Sequence, residues 1–201
     1  MAHIRLRCPE GRRGRFGWLN RAMHIRPFRP GDEAALLAVY RSAIHLVACR
    51  DYSPEQLHAW APEHIDEAAW ARRMQALQPF VAQEGRSIVG YADVQRDGYI
   101  DHFFVSGERP RQGIGRALME CLHAQALDWG LRALRADVSL TAQPFFARFG
   151  FAIVERRLPV RQGVGAAQRT DAQRALAGPR ALSAPPSASR PGAAGRSGSG
   201  R

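Results

Sequence analysis

Lysine is entirely absent from this chain, so all 29 of its basic residues are arginine. Alanine, glycine and proline are abundant, and this bias is typical of a GC-rich coding background rather than of a selected basic surface. The net charge of +11 is concentrated at the two ends, because residues 1–22 and 166–201 each hold six arginines and one acidic residue. The part between them is nearly neutral, which disfavours a nucleic-acid-binding domain and leaves binding by the tails as the weaker alternative.

Cysteine is scarce. The three that occur, Cys8, Cys49 and Cys121, have neither the spacing of metal ligands nor the even number of a disulfide framework. We therefore expect no metal site and a reducing, cytoplasmic environment. The periodicity places Cys121 on the apolar face of a helix, where a packed thiol is favoured over a covalent acyl carrier.

Long hydrophobic runs are missing as well. No stretch approaches the roughly 18 apolar residues that span a bilayer. The five arginines within residues 5–15 are not followed by the apolar run of a secretory signal. We therefore expect no membrane partner.

Both familiar nucleotide-binding templates, GxGxxG and GxxxxGK followed by Ser or Thr, are lacking, which disfavours a dinucleotide or P-loop site. The chain has instead the segment 105–119, which predicts a strand end, a turn and a helix start. Gly113 and Gly115 lie at the mouth of that helix, where unpaired N–H groups favour an anion and where Arg111 and Arg116 add positive charge. The pattern predicts a phosphate or diphosphate site, and an ordinary tight turn with solvated arginines is the alternative.

The remaining pattern alternates between strand-like and helix-like segments. Strands are predicted near residues 24–28, 80–84, 87–94, 99–105, 132–138 and 151–156, and helices near 35–47, 54–60, 66–77, 114–129 and 141–149. Asp32 is a predicted helix N-cap, and Asp97-Gly98 is predicted to turn a hairpin. We expect one domain over residues 23–165, with a disordered leader over 1–22 and a disordered tail over 166–201.

The order of these elements resembles that of the GNAT superfamily of acyl-coenzyme A N-acyltransferases. The resemblance rests on Arg111–Arg116 and Pro144–Phe151, and the segments Tyr52–Trp60 and Asp137–Ala142 are similar to a YafP-like branch within the superfamily. The match extends over residues 23–162.

The fold that this resemblance implies is α/β (α+β). It has a mixed, mostly antiparallel twisted sheet with flanking helices, and a splay between the fourth and fifth strands. In this sequence those are the predicted strands 99–105 and 132–138.

The resemblance also implies a donor substrate, acetyl-CoA. Its diphosphate would lie on the glycine loop, and its pantetheine arm would pair like an added strand with the end of the predicted fourth strand. The implied cofactor-binding residues are Phe103, Phe104, Val105, Arg111, Gln112, Gly113, Ile114, Gly115 and Arg116. An amide of that strand would polarise the thioester carbonyl as an amine attacks it.

The attacking amine must lose a proton, and Asp101 and His102 on the predicted fourth strand are the candidate bases. Strand alternation sends their side chains to opposite faces, so at most one should face the cleft. The alternatives are an ion pair between Asp101 and a nearby arginine, and a hydrogen-bonded interior histidine at position 102.

Three features depart from the family pattern. Phe146 stands where many relatives have a tyrosine acid, so Ser139, Thr141 or water would have to assist the leaving thiolate. Pro110 removes one amide donor from the loop but leaves both glycines. The sequence after Val164 lacks the further strand with which relatives end. We hypothesise a frameshifted or truncated terminus, which would leave an edge strand missing.

These features together predict an N-acetyltransferase that moves acetyl from acetyl-CoA to a primary amine by direct attack in a ternary complex. The acceptor is expected to be a small-molecule or peptide amine, and the enzyme a monomer or homodimer. Tyr52, His58 and Trp60 either line the acceptor pocket or belong to the core. The alternative function, which Phe146 and the missing strand favour, is a non-catalytic acyl-CoA-binding or sensing module.

Overall fold

The computed structural model describes residues 23–157, 160–161, 164–165 and 169–176. The predicted leader and the part of the predicted tail after residue 176 lie outside the described residues, as does Cys8.

The described α-helices are Glu33–Leu46 (α1), Pro54–Trp60 (α2), Glu67–Leu77 (α3), Ile114–Asp128 (α4) and Gln143–Arg148 (α5), with 3₁₀ turns at Ala48–Arg50 and Leu140–Ala142. Helix α2 begins with a capping box. The Ser53 hydroxyl accepts from the Gln56 N–H, and the Gln56 side chain accepts from the Ser53 N–H. Helix α3 begins where the Asp66 carboxylate accepts from the N–H groups of Ala68 and Ala69. The predicted helices are therefore present, and local capping explains where two of them begin.

The described strands are Met23–Pro27 (β1), Phe80–Glu84 (β2), Ser87–Ala92 (β3), Tyr99–Ile100 (β4), Phe103–Val105 (β5), Ala133–Ser139 (β6), Ala152–Arg157 (β7), Val160–Arg161 (β8), Val164–Gly165 (β9) and Arg169–Ala175 (β10). They form one four-stranded sheet in the order β1-β2-β3-β5, a second in the order β4-β6-β10-β7, and a hairpin of β8 and β9. These pairs are antiparallel except for β4 with β6, which is parallel. The predicted mixed, mostly antiparallel fold is confirmed.

The predicted strand 99–105 is divided into two strands. Its first half, β4, pairs with β6, and its second half, β5, pairs with β3. Asp101 and His102 lie between the two halves. One chain segment thus passes from the second sheet to the first, and the two sheets join at this point.

Strand β10 corrects two expectations about the end of the chain. Residues 169–175 pair with β6 on one side and with β7 on the other, so the prediction of a disordered tail from residue 166 is wrong for these residues. The missing-strand hypothesis is wrong for the same reason, and the strand is interior to its sheet. Its sequence, Arg-Thr-Asp-Ala-Gln-Arg-Ala, is too polar to give an apolar strand signal.

Asp32 also differs from its prediction. It stands immediately before α1, but its side chain does not cap the helix. The carboxylate instead accepts from the Arg26 guanidinium at 2.7 and 2.8 Å and from the Arg29 N–H at 2.8 Å. The charged guanidinium is a stronger donor than the N–H groups of the first helical turn, so the carboxylate bonds to Arg26. The resulting ion pair is largely buried and ties β1 to the start of α1.

The first sheet has helices on both faces. On one face, apolar residues of α4 such as Leu118 and Leu122 pack on the sheet, and Cys121 is buried there as a packed thiol. On the other face, α1 and α3 contribute Leu36, Trp70 and other buried residues. Within the described part of the chain, no helix has the length and apolar character needed to cross a membrane.

Candidate active site

The site is organised by the separation of β5 from β6. Strand β6 runs parallel to β4 through the pairs Tyr99–Arg135 and Ile100–Ala136. Beyond those pairs β5 is bonded to β3, and the described strands form no ladder between β5 and the end of β6. The sheet therefore opens into a slot between residues 103–105 and 137–139, and the predicted splay is confirmed.

The N–H groups of Phe103 and Val105 point into this slot. The Ser106 N–H donates to the Val89 carbonyl at 2.9 Å, which fixes the bonded register of β5 on β3. In an antiparallel ladder, bonded residues alternate with residues whose N–H and C=O groups point to the other side. Phe104 therefore bonds to β3, whereas Phe103 and Val105 offer their backbone groups to whatever occupies the slot.

The loop before α4 presents a row of backbone N–H groups at its surface. None of the described residues accepts a hydrogen bond from the N–H groups of residues 111–116. Arg111 and Gly113 have left-handed backbones, with φ of 59° and 81°, a conformation that helps successive N–H groups to form a concave anion site. A Cβ atom on Gly113 would meet no atom within 4 Å, so this side of the loop is open. The loop and the first turn of α4 suit a diphosphate.

Gly115 connects the loop to the slot by close packing. A Cβ atom at this position would lie 3.1 Å from the Phe145 ring and 3.6 Å from Val105 Cγ2. The start of α4 can approach both α5 and β5 only because residue 115 has no side chain. The two predicted loop glycines therefore differ: Gly113 leaves room for a ligand, and Gly115 sets the distance between the loop and the slot.

The arginines near the loop do not contribute equally. Arg116 donates to Glu120 at 2.8 Å, one helical turn further on, and Arg109 pairs with Glu84 at 3.2 Å. Arg111 is exposed at the loop itself. The predicted positive charge therefore comes mainly from Arg111, because carboxylates partly neutralise the other two.

Arg73 of α3 brings the two candidate bases together. Its Nη2 donates to Asp101 Oδ2 at 2.7 Å, and its Nε donates to His102 Nε2 at 3.1 Å. The prediction that the two side chains lie on opposite faces is therefore wrong, because the strand breaks at these residues and alternation does not apply across the break. The alternative for Asp101, an ion pair with an arginine, is what the structure shows.

His102 is an interior histidine with both ring nitrogens engaged. Because a guanidinium can only donate, Nε2 accepts from Arg73, and Nδ1 lies 3.0 Å from the Tyr91 hydroxyl. The ring is 7% exposed and lies among the aromatic rings of Tyr40, Trp70 and Phe104. This environment leaves no free nitrogen directed at the slot.

Ser139 lies across the slot from β5, at the end of β6. Its Oγ accepts from the Ala142 N–H at 3.3 Å and begins the following 3₁₀ turn. Its hydroxyl hydrogen remains free to donate, since an accepting oxygen keeps its own proton. The Thr141 hydroxyl, the other predicted donor, is held by Asp51 at 2.6 Å.

Tyr52 and Trp60 belong to the core. Both are buried in a cluster with Ile44, and the Tyr52 hydroxyl accepts from the Leu140 N–H at 2.6 Å, which ties the segment before α2 to the turn that follows β6. His58 is exposed and lines a surface depression of about 340 Å³. The other residues of that depression are Arg41, His45, Ala61, Pro62 and Glu63.

Comparison with known proteins identifies the family. A family described as the acetyltransferase (GNAT) domain matches residues 48–166, which is more than half of the chain. The chain belongs to the GNAT family. The match includes β5, the glycine loop, α4 and β6, so the whole slot lies within the GNAT domain.

Relatives within the GNAT family support this membership. The chain is 36% identical over 135 residues to the uncharacterized N-acetyltransferase YafP of Escherichia coli, a match that covers 67% of this chain and 85% of YafP. The GCN5-related N-acetyltransferase of Rhodopseudomonas palustris has a crystal structure that superposes with a TM-score of 0.73 at 28% identity, covering 81% of this chain and all of that one. The predicted YafP-like GNAT is confirmed.

A more distant GNAT shares the fold alone. The PaiA N-acetyltransferase of Thermoplasma acidophilum, whose crystal structure is in complex with coenzyme A, superposes with a TM-score of 0.60 at 16% identity. The match covers 77% of this chain and 99% of that one.

Phe146, the predicted departure from the family pattern, lies in the slot region. Its ring is buried and packs against Phe103 and Phe151, with ring centroids 5.5 and 4.9 Å away. A phenyl ring cannot donate a proton. Phe146 therefore contributes packing behind β5 and no acid.

Asp93 is the functional candidate that the sequence analysis missed. It follows β3, is 1% exposed, and its carboxylate accepts from the His102 N–H at 2.6 Å and from the Gln95 side chain at 2.5 Å. Burial raises its pKa to about 6, although the hydrogen bond from His102 opposes the shift. The sequence feature that could have indicated Asp93 is that it is the single carboxylate in the otherwise apolar run Val89–Val94.

The raised pKa of Asp93 predicts a pH-dependent cost to stability. The folded protein holds this proton more tightly than the unfolded chain, so between about pH 4 and 6 the free energy of unfolding falls as pH rises, by about 3 kcal/mol for this group. Asp93→Asn should remove the cost. Urea unfolding at pH 4, 5, 6 and 7 should show that the free energy of unfolding of Asp93→Asn increases relative to that of the wild type as pH rises.

Asp97→Asn is the matched control for this experiment. The pKa of Asp97 is lowered, chiefly by the hydrogen bond from the Tyr99 N–H, so its ionised form stabilises the fold. The free energy of unfolding of Asp97→Asn should decrease relative to that of the wild type as pH rises through the acidic range. A difference between Asp93→Asn and the wild type that stays constant from pH 4 to 7 would contradict the assignment.

Proposed function

We propose that this GNAT protein transfers acetyl from acetyl-CoA to a primary amine by direct attack in a ternary complex. One observation carries the proposal: outward-facing N–H groups extend from the slot at Phe103 and Val105 to the loop at residues 111–116. A diphosphate and an amide-containing arm, joined covalently, would match these two sets of donors. The fold of PaiA, which was crystallised with coenzyme A, supports the same assignment.

The loop residues hold the phosphate end of the donor. The N–H groups of Arg111, Gln112, Gly113, Ile114, Gly115 and Arg116 donate to the diphosphate oxygens. Gly113 leaves the space that the phosphate needs. Arg111 adds positive charge that carboxylates neutralise less than the charges of Arg109 and Arg116. Binding therefore depends mostly on backbone groups, which lose little entropy on binding because the helix start already fixes them.

The slot orients the thioester. Phe103 and Val105 pair with the pantetheine arm, and Phe104 anchors β5 to β3 behind them. An N–H of β5 polarises the thioester carbonyl, the amine nitrogen forms a bond to the carbonyl carbon, and the negative charge on the tetrahedral oxygen is stabilised by that donor. The carbon–sulfur bond then breaks, which releases the acetylated amine and the CoA thiolate.

Protons move through the more accessible groups beside the slot. We assign Asp101, whose side chain is 26% exposed, to take the amine proton through water. Both ring nitrogens of His102 are engaged in hydrogen bonds, so His102 does not take the proton itself. It orients Arg73, which lies beside Asp101. Ser139 donates toward the thiolate from the opposite strand, where Phe146 offers no proton.

The second candidate function is an acyl-CoA-binding or sensing module without turnover. The buried phenyl ring of Phe146 in the position of the usual acid favours it. Both functions require the slot and the loop, and only the first requires the release of free thiol.

Incubation of the full chain with acetyl-CoA and a panel of small-molecule and peptide amines tests the proposal. We expect amine-dependent release of thiol, together with a product heavier by one acetyl group in the mass spectrum. A matched reaction without amine measures hydrolysis. Binding of acetyl-CoA by calorimetry without any acetylated amine would favour the sensing module, and the absence of binding would overturn both functions.

A further inference from the structure

We infer that Asp93 is a positioning residue for the acyl donor: its ionised carboxylate holds the break between β4 and β5 in the geometry that directs the N–H of Phe103 into the slot. This inference rests on the proposed function, because the slot matters only if a thioester occupies it. Asp93 does not line the slot, and it acts through the backbone of the residues that do.

The carboxylate occupies a place in the ladder that a backbone carbonyl would otherwise take. The Asp93 N–H donates to the His102 carbonyl at 3.0 Å, as in a regular antiparallel pair. The reciprocal bond is different, since the His102 N–H donates to Asp93 Oδ1 at 2.6 Å. The side chain therefore continues the pairing of β3 with the following segment one residue beyond the end of β3.

The peptide that the Asp93 carboxylate holds is joined directly to the one that faces the slot, and the C=O of that second peptide, which belongs to His102, accepts from the Asp93 N–H. The His102 N–H belongs to the peptide immediately before that of Phe103, so a rotation at His102 would turn the Phe103 N–H away from a thioester. A hydrogen bond to a charged acceptor is roughly twice as strong as one to a neutral acceptor. An ionised Asp93 therefore restricts this rotation more tightly than an amide or a protonated acid would.

The cost in stability agrees with a functional reason for the buried charge. An aspartate that is 1% exposed destabilises the fold when ionised. Neutral asparagine could accept from the His102 N–H, but it would have to donate to Gln95 with the Gln95 amide reversed, because only one of its two terminal atoms accepts. Residues that lower stability are typical of functional sites. The titratable and charged groups near Asp93 are Asp101 and His102 at the strand break, Arg73 on α3 and Tyr91 on β3.

Calorimetric titration of full-length wild type, Asp93→Asn and Asp97→Asn with acetyl-CoA tests the inference. At pH 7.5 we expect Asp93→Asn to bind about fivefold more weakly than the wild type, although it should be the more stable protein at that pH. Asp97→Asn should bind like the wild type, because the Asp97 carboxylate lies in the adjacent turn and contacts the Tyr99 N–H and Arg135.

The pH profile distinguishes positioning from general damage to the structure. The ratio of the two affinities should approach one at pH 5, where Asp93 is protonated in the wild type. The 3′-phosphate of the ligand titrates near pH 6 as well, but it affects both proteins equally and cancels in the ratio. If Asp93→Asn does not fold, wild-type binding of 3′-dephospho-acetyl-CoA should still weaken about fivefold between pH 7.5 and 5.

Equal affinities of the wild type and Asp93→Asn at pH 7.5 would overturn the inference and leave the proposed function intact. A ratio that stays the same from pH 7.5 to 5 would also overturn it, since it would indicate a defect unrelated to the charge. No binding of acetyl-CoA by the wild type would instead overturn the proposed function, so the two failures are distinguishable.

Discussion

Gly113→Asp is expected to abolish acetyl-CoA binding while leaving the fold intact. The new carboxylate would stand among the N–H groups that we assign to the diphosphate, and like charges about 4 Å apart near a protein surface repel strongly enough to raise Kd at least 100-fold. The substitution does not crowd the protein, because a Cβ atom at residue 113 meets no atom within 4 Å, and the strain of an Asp residue at φ 81° is about 1 kcal/mol, which a folded domain tolerates. Calorimetry with acetyl-CoA and a thermal melt of the same sample measure the two effects.

Two variants isolate the cause. Gly113→Asn has nearly the same shape and backbone preference without the charge, so it should bind more tightly than Gly113→Asp. Gly31→Asp introduces the same side chain at another open glycine with a left-handed backbone, φ 101°, in the turn before α1, and it should bind acetyl-CoA normally. Unchanged affinity in Gly113→Asp would refute the placement of the diphosphate on this loop.

Truncation of the chain after Gly165 is expected to prevent cooperative folding. It removes β10, whose seven residues are paired with β6 and with β7. Loss of on the order of ten backbone hydrogen bonds at about 1 kcal/mol each is comparable to the whole stability of a domain, about 5–15 kcal/mol. Circular dichroism melts should show a broad or absent transition.

Truncation after Leu176 is the matched control. It keeps β10 and the hydrogen bond from the Leu176 N–H to the Arg132 carbonyl, and it removes a segment for which the sequence predicts no regular structure. We expect its melting temperature to equal that of the full chain. A cooperative transition at the same temperature after truncation at Gly165 would show that β10 is dispensable.

Much of the site was predictable because its parts are local in sequence. Gly113 and Gly115, the helix that follows them and the strand that precedes them lie within residues 99–129, and each has a strong local signal. The apolar periodicity of α1, α3 and α4 likewise placed the core helices. The order of these elements then identified the family, and that order implied the slot.

The misses share a different origin, because each depends on a partner outside the element itself. Asp32 bonds to the Arg26 guanidinium instead of capping α1. Strand β10 is polar, and it is held by pairing with two strands that precede it. Local pattern cannot reveal such a strand, since its stability comes from its neighbours and not from its own apolar face.

The sequence by itself determined the glycine loop before α4, the helices that cover the sheet and the membership in the GNAT family. Only the tertiary structure decided that the predicted strand 99–105 breaks at Asp101 and His102, that Arg73 holds both of these side chains, and that Asp93 bonds to the break. The physical reason is that a hydrophobic period specifies which face of an element is buried. The position of a buried charge is specified by donors from several elements, which meet only in the folded protein.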